Sequence, residues 1–224
     1  MTSFAKWVKN FFFLLIYLLS GGVLALVIDG VSTGTELSPL NVATENTIAH
    51  IRTPLLTQLF LFITNVGSPF ILSCLAVLLA IYLLLRKDTY DALLYLSSMT
   101  LAIVAFTILK SEYRITRPAS ALVDLASWSF PSGHAAVSTA FFFATAYTFW
   151  DKIRLWPLRI VFALLCASAA ALICFSRLYL SVHYALDVLA GVTLGICAVS
   201  MVILIFNIFI EEEKWRRKKR SARI

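Results

Sequence analysis

The chain has 224 residues, of which 60% are hydrophobic and 14% are charged. Its mean hydropathy of +0.88 excludes an ordinary water-soluble domain. The composition predicts one all-α domain, residues 1–224, built as a helix bundle in lipid. The net charge of +7 does not argue for a nucleic-acid partner, because 14 of the 19 Lys and Arg residues fall in a pattern that sets membrane topology.

Six apolar stretches approach the length of about 20 residues that a helix needs to cross the hydrocarbon core. They predict six crossings, at Phe11–Ile28, Phe70–Leu85, Ala92–Leu109, Ala135–Trp150, Ile160–Phe175 and Val188–Ile210. The first stretch follows Lys6 and Lys9 as a signal peptide would, but apolar residues continue beyond Gly22, which indicates a retained helix. The four cysteines lie inside these stretches without metal-ligand spacing, and we interpret them as packing residues.

Six crossings place both termini on one side of the membrane. The basic residues before the first crossing, in two of the loops and in the tail 211–224 indicate that this side is the cytoplasm. The tail can also bind anionic lipid headgroups. Five cations fall on the opposite, external side, against the usual enrichment of basic residues on the cytoplasmic side: Arg52, Lys110, Arg114, Arg117 and Arg177. Their position indicates a site that holds an anion.

A more polar segment, residues 29–69, separates the first two crossings and is predicted to lie outside. Within it, Leu55–Ile63 is apolar but too short to cross the membrane. This piece either guides a lipid substrate along the interface or packs against the bundle. We find no internal repeat and no low-complexity linker.

Three segments carry residues suited to phosphate chemistry. The third crossing ends in Lys110, with Arg117 seven residues later. Lysine supplies a point charge and arginine a planar fork for phosphate oxygens, although such cations also mark membrane boundaries. Next, Pro131-Ser132-Gly133-His134 precedes the fourth crossing, where the free N–H groups of a helix start favour an anion. The alternative is a plain helix cap with an incidental histidine.

The third segment joins the fifth and sixth crossings and contains Arg177, His183 and Asp187. His183 and Asp187 are four residues apart, so they lie one turn apart on one face if the helix begins near His183. Asp187 can then accept the imidazole N–H and raise the basicity of the other nitrogen. A purely structural hydrogen-bonded pair is the alternative.

The predicted topology brings the loops after the third and fifth crossings to the same external face. A phosphate site with a nucleophile and a proton donor is therefore expected there. These loops hold no carboxylate cluster for magnesium, so we predict no metal and no cofactor. The residues of this expected site are Lys110, Arg117, Ser132, Gly133, His134, Arg177, His183 and Asp187.

The segment from Lys110 to Asp187 closely resembles the phosphatidic-acid phosphatase type 2 superfamily. The tripartite pattern of that family is Lys-x6-Arg-Pro, Pro-Ser-Gly-His and Ser-Arg-x5-His-x3-Asp, and every position is matched here. The resemblance implies metal-independent phosphate hydrolysis through a phosphohistidine. It implies His183 as nucleophile, Asp187 as its orienting partner and His134 as the acid for the leaving oxygen. Lys110, Arg117, Arg177, Ser132 and the Gly133 N–H would bind the phosphate oxygens.

Membrane spans argue against the soluble phosphatases and vanadium haloperoxidases of the same superfamily and favour an amphiphilic substrate. We expect a lipid phosphate or diphosphate in the cell membrane, with undecaprenyl diphosphate or phosphatidylglycerophosphate as leading candidates. The alternatives are a lipid-to-lipid phosphotransferase, a lipid A phosphatase, or a non-enzymatic bundle that binds anionic lipid. His50, Arg52 and Arg114 are candidates for headgroup contact, or else solvated interfacial residues. The sequence carries no signal for oligomeric state.

Overall fold

In a computed structural model, the protein is described over residues 3–33, 39–123 and 125–221, and all regular elements of these ranges are α-helices. The last residues of the predicted basic tail, 222–224, lie outside the described ranges. Eight helices follow one another: α1 Ser3–Ser32, α2 Pro39–Ile51, α3 Pro54–Val66, α4 Pro69–Leu85, α5 Thr89–Tyr113, α6 Gly133–Trp150, α7 Trp156–Tyr179 and α8 Ala185–Ser221.

Helices α6 and α8 form the centre of the bundle. α6 packs against α4, α5, α7 and α8, and α8 also packs against α1 and α5. No residue of α6 is exposed, which explains how a helix rich in Ala, Ser, Thr and Gly can occupy this position. Small side chains let neighbouring backbones approach closely, and the main apolar core gathers around Val137, Ala140, Phe141 and Val199.

Two glycines one turn apart on α8 set its distance from α6. A Cβ atom added at Gly191 would lie 2.5 Å from the backbone oxygen of Ser132, and one at Gly195 would lie 2.7 Å from that of Ala136. Both distances are much shorter than a van der Waals contact. The backbone of α6 therefore lies directly against these glycines, as in small-xxx-small helix packing.

Four helices are long and apolar enough to cross a membrane: α1 over Trp7–Ser32, α5, α7, and α8 over Ala185–Ile208. A fifth candidate is the pair α3 and α4, which passes the same test jointly and is bent by 43° at a short break. The predicted apolar stretches correspond to α1 and α4 to α8. The count of six crossings stays a prediction, since α6 does not reach the required apolarity.

The predicted external segment contains α2 and α3 among its described residues. Thr53 caps α3, because its hydroxyl accepts from the Leu56 N–H, and Pro54 occupies the first turn. Ser68 and Pro69 start α4 in the same way. The short apolar stretch Leu55–Ile63 thus becomes a helix that continues into α4 through a bend, and it packs against α7.

A salt-bridge cluster marks the end of the bundle opposite to residues 110–134. Lys152 lies 2.8 Å from Asp88 and 2.6 Å from Asp91, so the α6–α7 loop is tied to the α4–α5 loop. Hydrogen bonds to the two carboxylates raise the pKa of Lys152 against the opposing effect of burial. Lys9 of α1 lies at the same end, 4.7 Å from the centre of the Tyr147 ring.

The packing at Gly191 predicts a strong effect of one added methyl group. Gly191→Ala should destabilise the protein by about 1–3 kcal/mol, because the new Cβ overlaps the Ser132 backbone and forces α6 away. Thermal unfolding in detergent measures the loss as a lower Tm. Gly22→Ala is the matched control, since among the described residues no atom outside its own helix backbone lies within 4 Å of a Cβ there, and its Tm should be nearly unchanged. Equal Tm values for the two variants would contradict the close α6–α8 packing.

Candidate active site

Three chain segments meet at one end of the bundle: the end of α5, the start of α6 with the residues before it, and the connection from α7 to α8. These are the segments that carry the eight candidate residues. α8 begins at Ala185, two residues after His183. His183 therefore lies in the loop before the helix, and Asp187 lies in the first helical turn. Even so, His183 Nδ1 lies 3.4 Å from Asp187 Oδ2.

A third residue, Ser129, bridges this pair. Its hydroxyl lies 3.3 Å from His183 Nδ1 and makes a short hydrogen bond to Asp187 Oδ2. A hydroxyl can accept from the imidazole and donate to the carboxylate at once, so Ser129 links the two groups. Asp187 Oδ2 also accepts from the Tyr184 N–H at 2.9 Å. All three side chains are buried, which makes the hydrogen bonds between them strong.

The other ring nitrogen of His183 faces a cation. Arg117 Nη1 lies 3.2 Å from His183 Nε2, and a guanidinium can only donate. Nε2 therefore presents its lone pair, and the proton resides on Nδ1, which faces Ser129 and Asp187. This is the tautomer that a nucleophilic imidazole needs.

The charge state of His183 follows from its surroundings. Burial, reinforced by the cations Arg177, Arg117 and Lys110, lowers the pKa of His183 well below its usual range. The ring is therefore neutral at neutral pH. Burial also lowers the pKa of Arg117, with Asp187 acting in the opposite direction.

Lys110 and Arg117 both bind the loop before α6. Lys110 Nζ donates to the Trp128 carbonyl at 2.7 Å, and Arg117 donates to the carbonyls of Ser127 at 2.9 Å and Trp128 at 3.2 Å. Arg117 Nη1 also donates to the Val182 carbonyl. The two cations thus hold the loops that carry Ser129 and His183, and the positive charges of Lys110 and Arg117 lie at the site.

At the start of α6, Ser132 is the N-cap and its hydroxyl accepts from the Ala135 N–H at 3.4 Å. The Ser132 N–H donates to the Asp187 carbonyl at 3.0 Å, which joins the first turns of α6 and α8. A Cβ atom at Gly133 would lie 3.0 Å from the Phe106 ring, so glycine fits best here. The N–H groups of this first turn are suited to an anion.

Arg177, near the end of α7, is only 3% exposed. Its Nη1 donates to Thr64 Oγ1 at 2.5 Å, while its Nε has no hydrogen-bond partner among the described residues. A buried N–H of this kind costs free energy until an anion accepts it. His134 is the second residue of α6, in the turn that Ser132 caps.

The three suggested headgroup residues take different roles. Arg52 donates to the Tyr179 carbonyl at 3.3 Å and makes a short hydrogen bond to Ser181, so it holds the loop before His183. Arg114 Nε donates to the Ser111 carbonyl at 2.9 Å at the end of α5. His50 is exposed on α2.

Sequence reasoning missed Ser129 and Thr64. Ser129 stands directly before the Phe130-Pro131-Ser132 run, and its position there was a weak signal. Thr64 lies in an apolar helix far from the three motifs, and nothing in the chain order indicates its neighbours. Among the described residues, no group of three or more His, Cys, Asp or Glu side chains is placed to hold a metal ion.

The candidate spans of the helix bundle are those of an integral membrane protein, and comparison with known proteins identifies its class. A model of the PAP2 superfamily matches residues 91–211. Phosphatidylglycerophosphatase B of Bacillus subtilis (strain 168) is 31% identical over 153 residues, which cover 65% of this chain and 73% of that protein.

Two crystal structures are similar to most of the bundle. A transmembrane PAP2 type phosphatidylglycerolphosphate phosphatase from Bacillus subtilis superposes with a TM-score of 0.73 and 26% identity, covering 85% of this chain and 93% of that one. LpxE of Aquifex aeolicus superposes with a TM-score of 0.59 and 27% identity, covering 73% and 94%. The chain belongs to the PAP2 superfamily, which confirms the resemblance inferred from the three motifs.

The bridging position of Ser129 predicts a catalytic defect on its removal. Ser129→Ala should lower kcat about 10-fold or more, because a hydrogen bond to a charged group contributes about 1.5–3 kcal/mol and the His183 ring loses its orientation. Steady-state phosphate release measures the effect. Ser111→Ala is the control, since that exposed hydroxyl donates to the Ile108 carbonyl within α5. A kcat for Ser129→Ala within two-fold of wild type would remove Ser129 from the hydrogen-bonded chain.

Proposed function

We propose that this protein hydrolyses a phosphate monoester or diphosphate on a membrane lipid, without a metal ion, through a phosphohistidine intermediate. One observation carries the proposal: the neutral His183 directs the lone pair of Nε2 toward Arg117, at 3.2 Å, while Nδ1 is held by Ser129 and Asp187. A phosphoryl group bound by the guanidinium would lie in line for attack by that nitrogen.

The first step forms the bond from His183 Nε2 to phosphorus and breaks the bond from phosphorus to the lipid oxygen. His134 donates a proton to the departing oxygen, which leaves as the lipid alcohol or, for a diphosphate, as the lipid monophosphate. The positive charge on the His183 ring is stabilised through Nδ1 by Ser129 and Asp187. In the second step, His134 takes a proton from water, the water oxygen bonds to phosphorus, and the bond to Nε2 breaks to release phosphate.

The charge of the transferred group is balanced by Lys110, Arg117 and Arg177, together with N–H groups at the start of α6. The buried Nε of Arg177 has no partner in the part of the chain that the structure describes, so anion binding would satisfy a group that is otherwise costly.

We propose a lipid as the substrate, with phosphatidylglycerophosphate first and undecaprenyl diphosphate second. The similarity to phosphatidylglycerophosphatase B supports phosphatidylglycerophosphate as the substrate. A groove of about 1270 Å³ supports a lipid in general, since it is lined mostly by apolar residues of α1, α6, α7 and α8. Leu178 lines both this groove and a small pocket that contains His183, so the hydrocarbon chain can lie beside the reacting group.

We also propose one membrane-embedded domain in the cytoplasmic membrane, with six crossings, both termini in the cytoplasm and the site facing outside. The crossings would be α1, the bent pair α3–α4, α5, α6, α7 and α8. Support for α6 comes from its burial, because a helix surrounded by protein needs no lipid-facing apolar surface. Support for the orientation comes from Lys152, Arg154 and Arg159, which lie in or beside the α6–α7 connection at the end opposite to the site.

His183→Ala should abolish phosphate release, with a loss on the order of 10³-fold or more, because no other group on the site replaces the nucleophile. Phosphate release by purified protein in detergent, with EDTA present, measures this across phosphatidylglycerophosphate, prenyl diphosphates, phosphatidic acid and lipid A. His50→Ala is the matched control, since that histidine is exposed on α2. Near wild-type turnover in His183→Ala, or a strict need for a divalent metal, would overturn the mechanism.

Rapid quenching with ³²P-labelled substrate should trap label on the wild-type protein that is stable to base and labile to acid, as a phosphohistidine is. His183→Ala should carry none of this label. Label that appears on a second lipid instead of in free phosphate would favour a phosphotransferase. Turnover without any protein-bound label at quench times shorter than one cycle would contradict the intermediate.

A further inference from the structure

The break between α3 and α4 releases one backbone carbonyl from the helix. In an uninterrupted helix, the Ser68 N–H would bond to the Thr64 carbonyl. Here the Ser68 N–H donates to the Asn65 carbonyl at 3.2 Å, and the Gly67 N–H donates to the Ile63 carbonyl at 2.8 Å. Pro69 has no N–H to contribute. The Thr64 carbonyl is thereby left outside the backbone ladder, at a bend of 43°.

The same residue directs its side chain at the phosphate-binding arginine. Thr64 is 5% exposed, and its Oγ1 accepts from Arg177 Nη1 at 2.5 Å. The Nε atom of Arg177 has no partner among the described residues. The hydroxyl thus holds one N–H of the guanidinium and leaves another for a phosphate oxygen.

The released carbonyl lies near a residue of α6. The Thr64 backbone acts electrostatically on the His134 ring, and a carbonyl is the backbone group that can accept from an imidazole N–H. A bond at one ring nitrogen would decide which nitrogen carries the exchangeable proton. Thr64 therefore bonds a proposed phosphate ligand through its hydroxyl, and its backbone lies near the proposed proton donor.

We propose that Thr64 is a positioning residue for the reaction, with its hydroxyl orienting Arg177 and its backbone carbonyl orienting His134. This inference rests on the proposed function. It gives the broken helix pair α3–α4 a role in catalysis, although no motif residue lies on it. Irregular backbone at membrane depth is tolerated where protein surrounds it, and here the freed carbonyl is available to a histidine.

The two contacts act on different kinetic parameters, so they can be tested separately. Thr64→Val removes the hydroxyl, keeps the shape and keeps the carbonyl. Because a hydrogen bond to a charged group is lost, KM and the inhibition constant of vanadate should rise about 10-fold or more. The kcat value should fall less than about three-fold, since the His134 contact is retained.

Two variants serve as controls for Thr64→Val. Thr64→Ser keeps the hydroxyl and should restore KM and vanadate inhibition to within about three-fold of wild type. Thr57→Val changes a half-buried threonine of the same helix, whose hydroxyl donates to the Thr53 carbonyl at 2.9 Å and contacts no site residue, and should behave as wild type. Unchanged KM and vanadate inhibition in Thr64→Val, or an equal defect in Thr64→Ser, would overturn the role of the hydroxyl.

The carbonyl contact is measured by solid-state NMR on the wild-type protein in lipid bilayers, which does not depend on the folding of a variant. With ¹³C′-labelled threonine and ¹⁵N-ring-labelled histidine, a cross-peak is expected between Thr64 and His134, and Thr64→Ser should remove it while retaining activity. Visible histidine ring signals without this cross-peak would overturn the carbonyl contact. If wild-type protein releases no phosphate from any lipid, the proposed function fails instead, and the two failures are thus distinguishable.

Discussion

The close packing of α6 against α8 is the constraint on which the site depends. Gly191 and Gly195 let the α6 backbone lie directly on α8, and the Ser132 N–H donates to the Asp187 carbonyl at 3.0 Å. The two helix starts are therefore fixed relative to each other. One start carries His134 and the turn proposed to bind an anion, and the other carries Asp187 beside His183. A wider separation would move the proposed phosphate-binding groups away from the proposed nucleophile.

Around this contact, the site is organised by charge in an apolar setting. Three cations lie around one neutral imidazole, and the arrangement is tolerable because each cation has hydrogen-bond acceptors within the protein. Lys110 and Arg117 donate to loop carbonyls, and Arg177 donates to Thr64. The same cations disfavour protonation of His183, which keeps its lone pair available. In the proposed mechanism, attraction for an anion and activation of the nucleophile therefore have one physical origin.

The segment between α1 and α4 supports the site from outside the motifs. Arg52 and Thr53 are bonded to Tyr179 and Ser181, so the α2–α3 linker holds the loop that leads to His183. Glu45 of α2 accepts from Ser120 of the loop after α5. Together with the Thr64–Arg177 bond, these contacts tie α2 and α3 to the end of α7, to the loop before His183 and to the loop after α5, which limits the motion of groups that must stay aligned in the proposed site.

The sequence by itself determined the helical membrane class and the family, because hydropathy and a three-part motif are local properties. The predicted bounds of α4 to α7 fall within four residues of the observed ones, while α1 begins earlier and α8 ends later than predicted. The sequence also proposed the eight side chains of the candidate site. Only the tertiary structure decided that Ser129 bridges His183 and Asp187, that Arg52 holds the loop before His183, and that Thr64 bonds Arg177. The reason is physical: these contacts join residues that are 54 to 129 positions apart, and no periodicity along a chain encodes which helix faces meet. Nothing in the sequence indicates that the bend between α3 and α4 has a function, because the proposed role of its freed carbonyl depends on the position of α6.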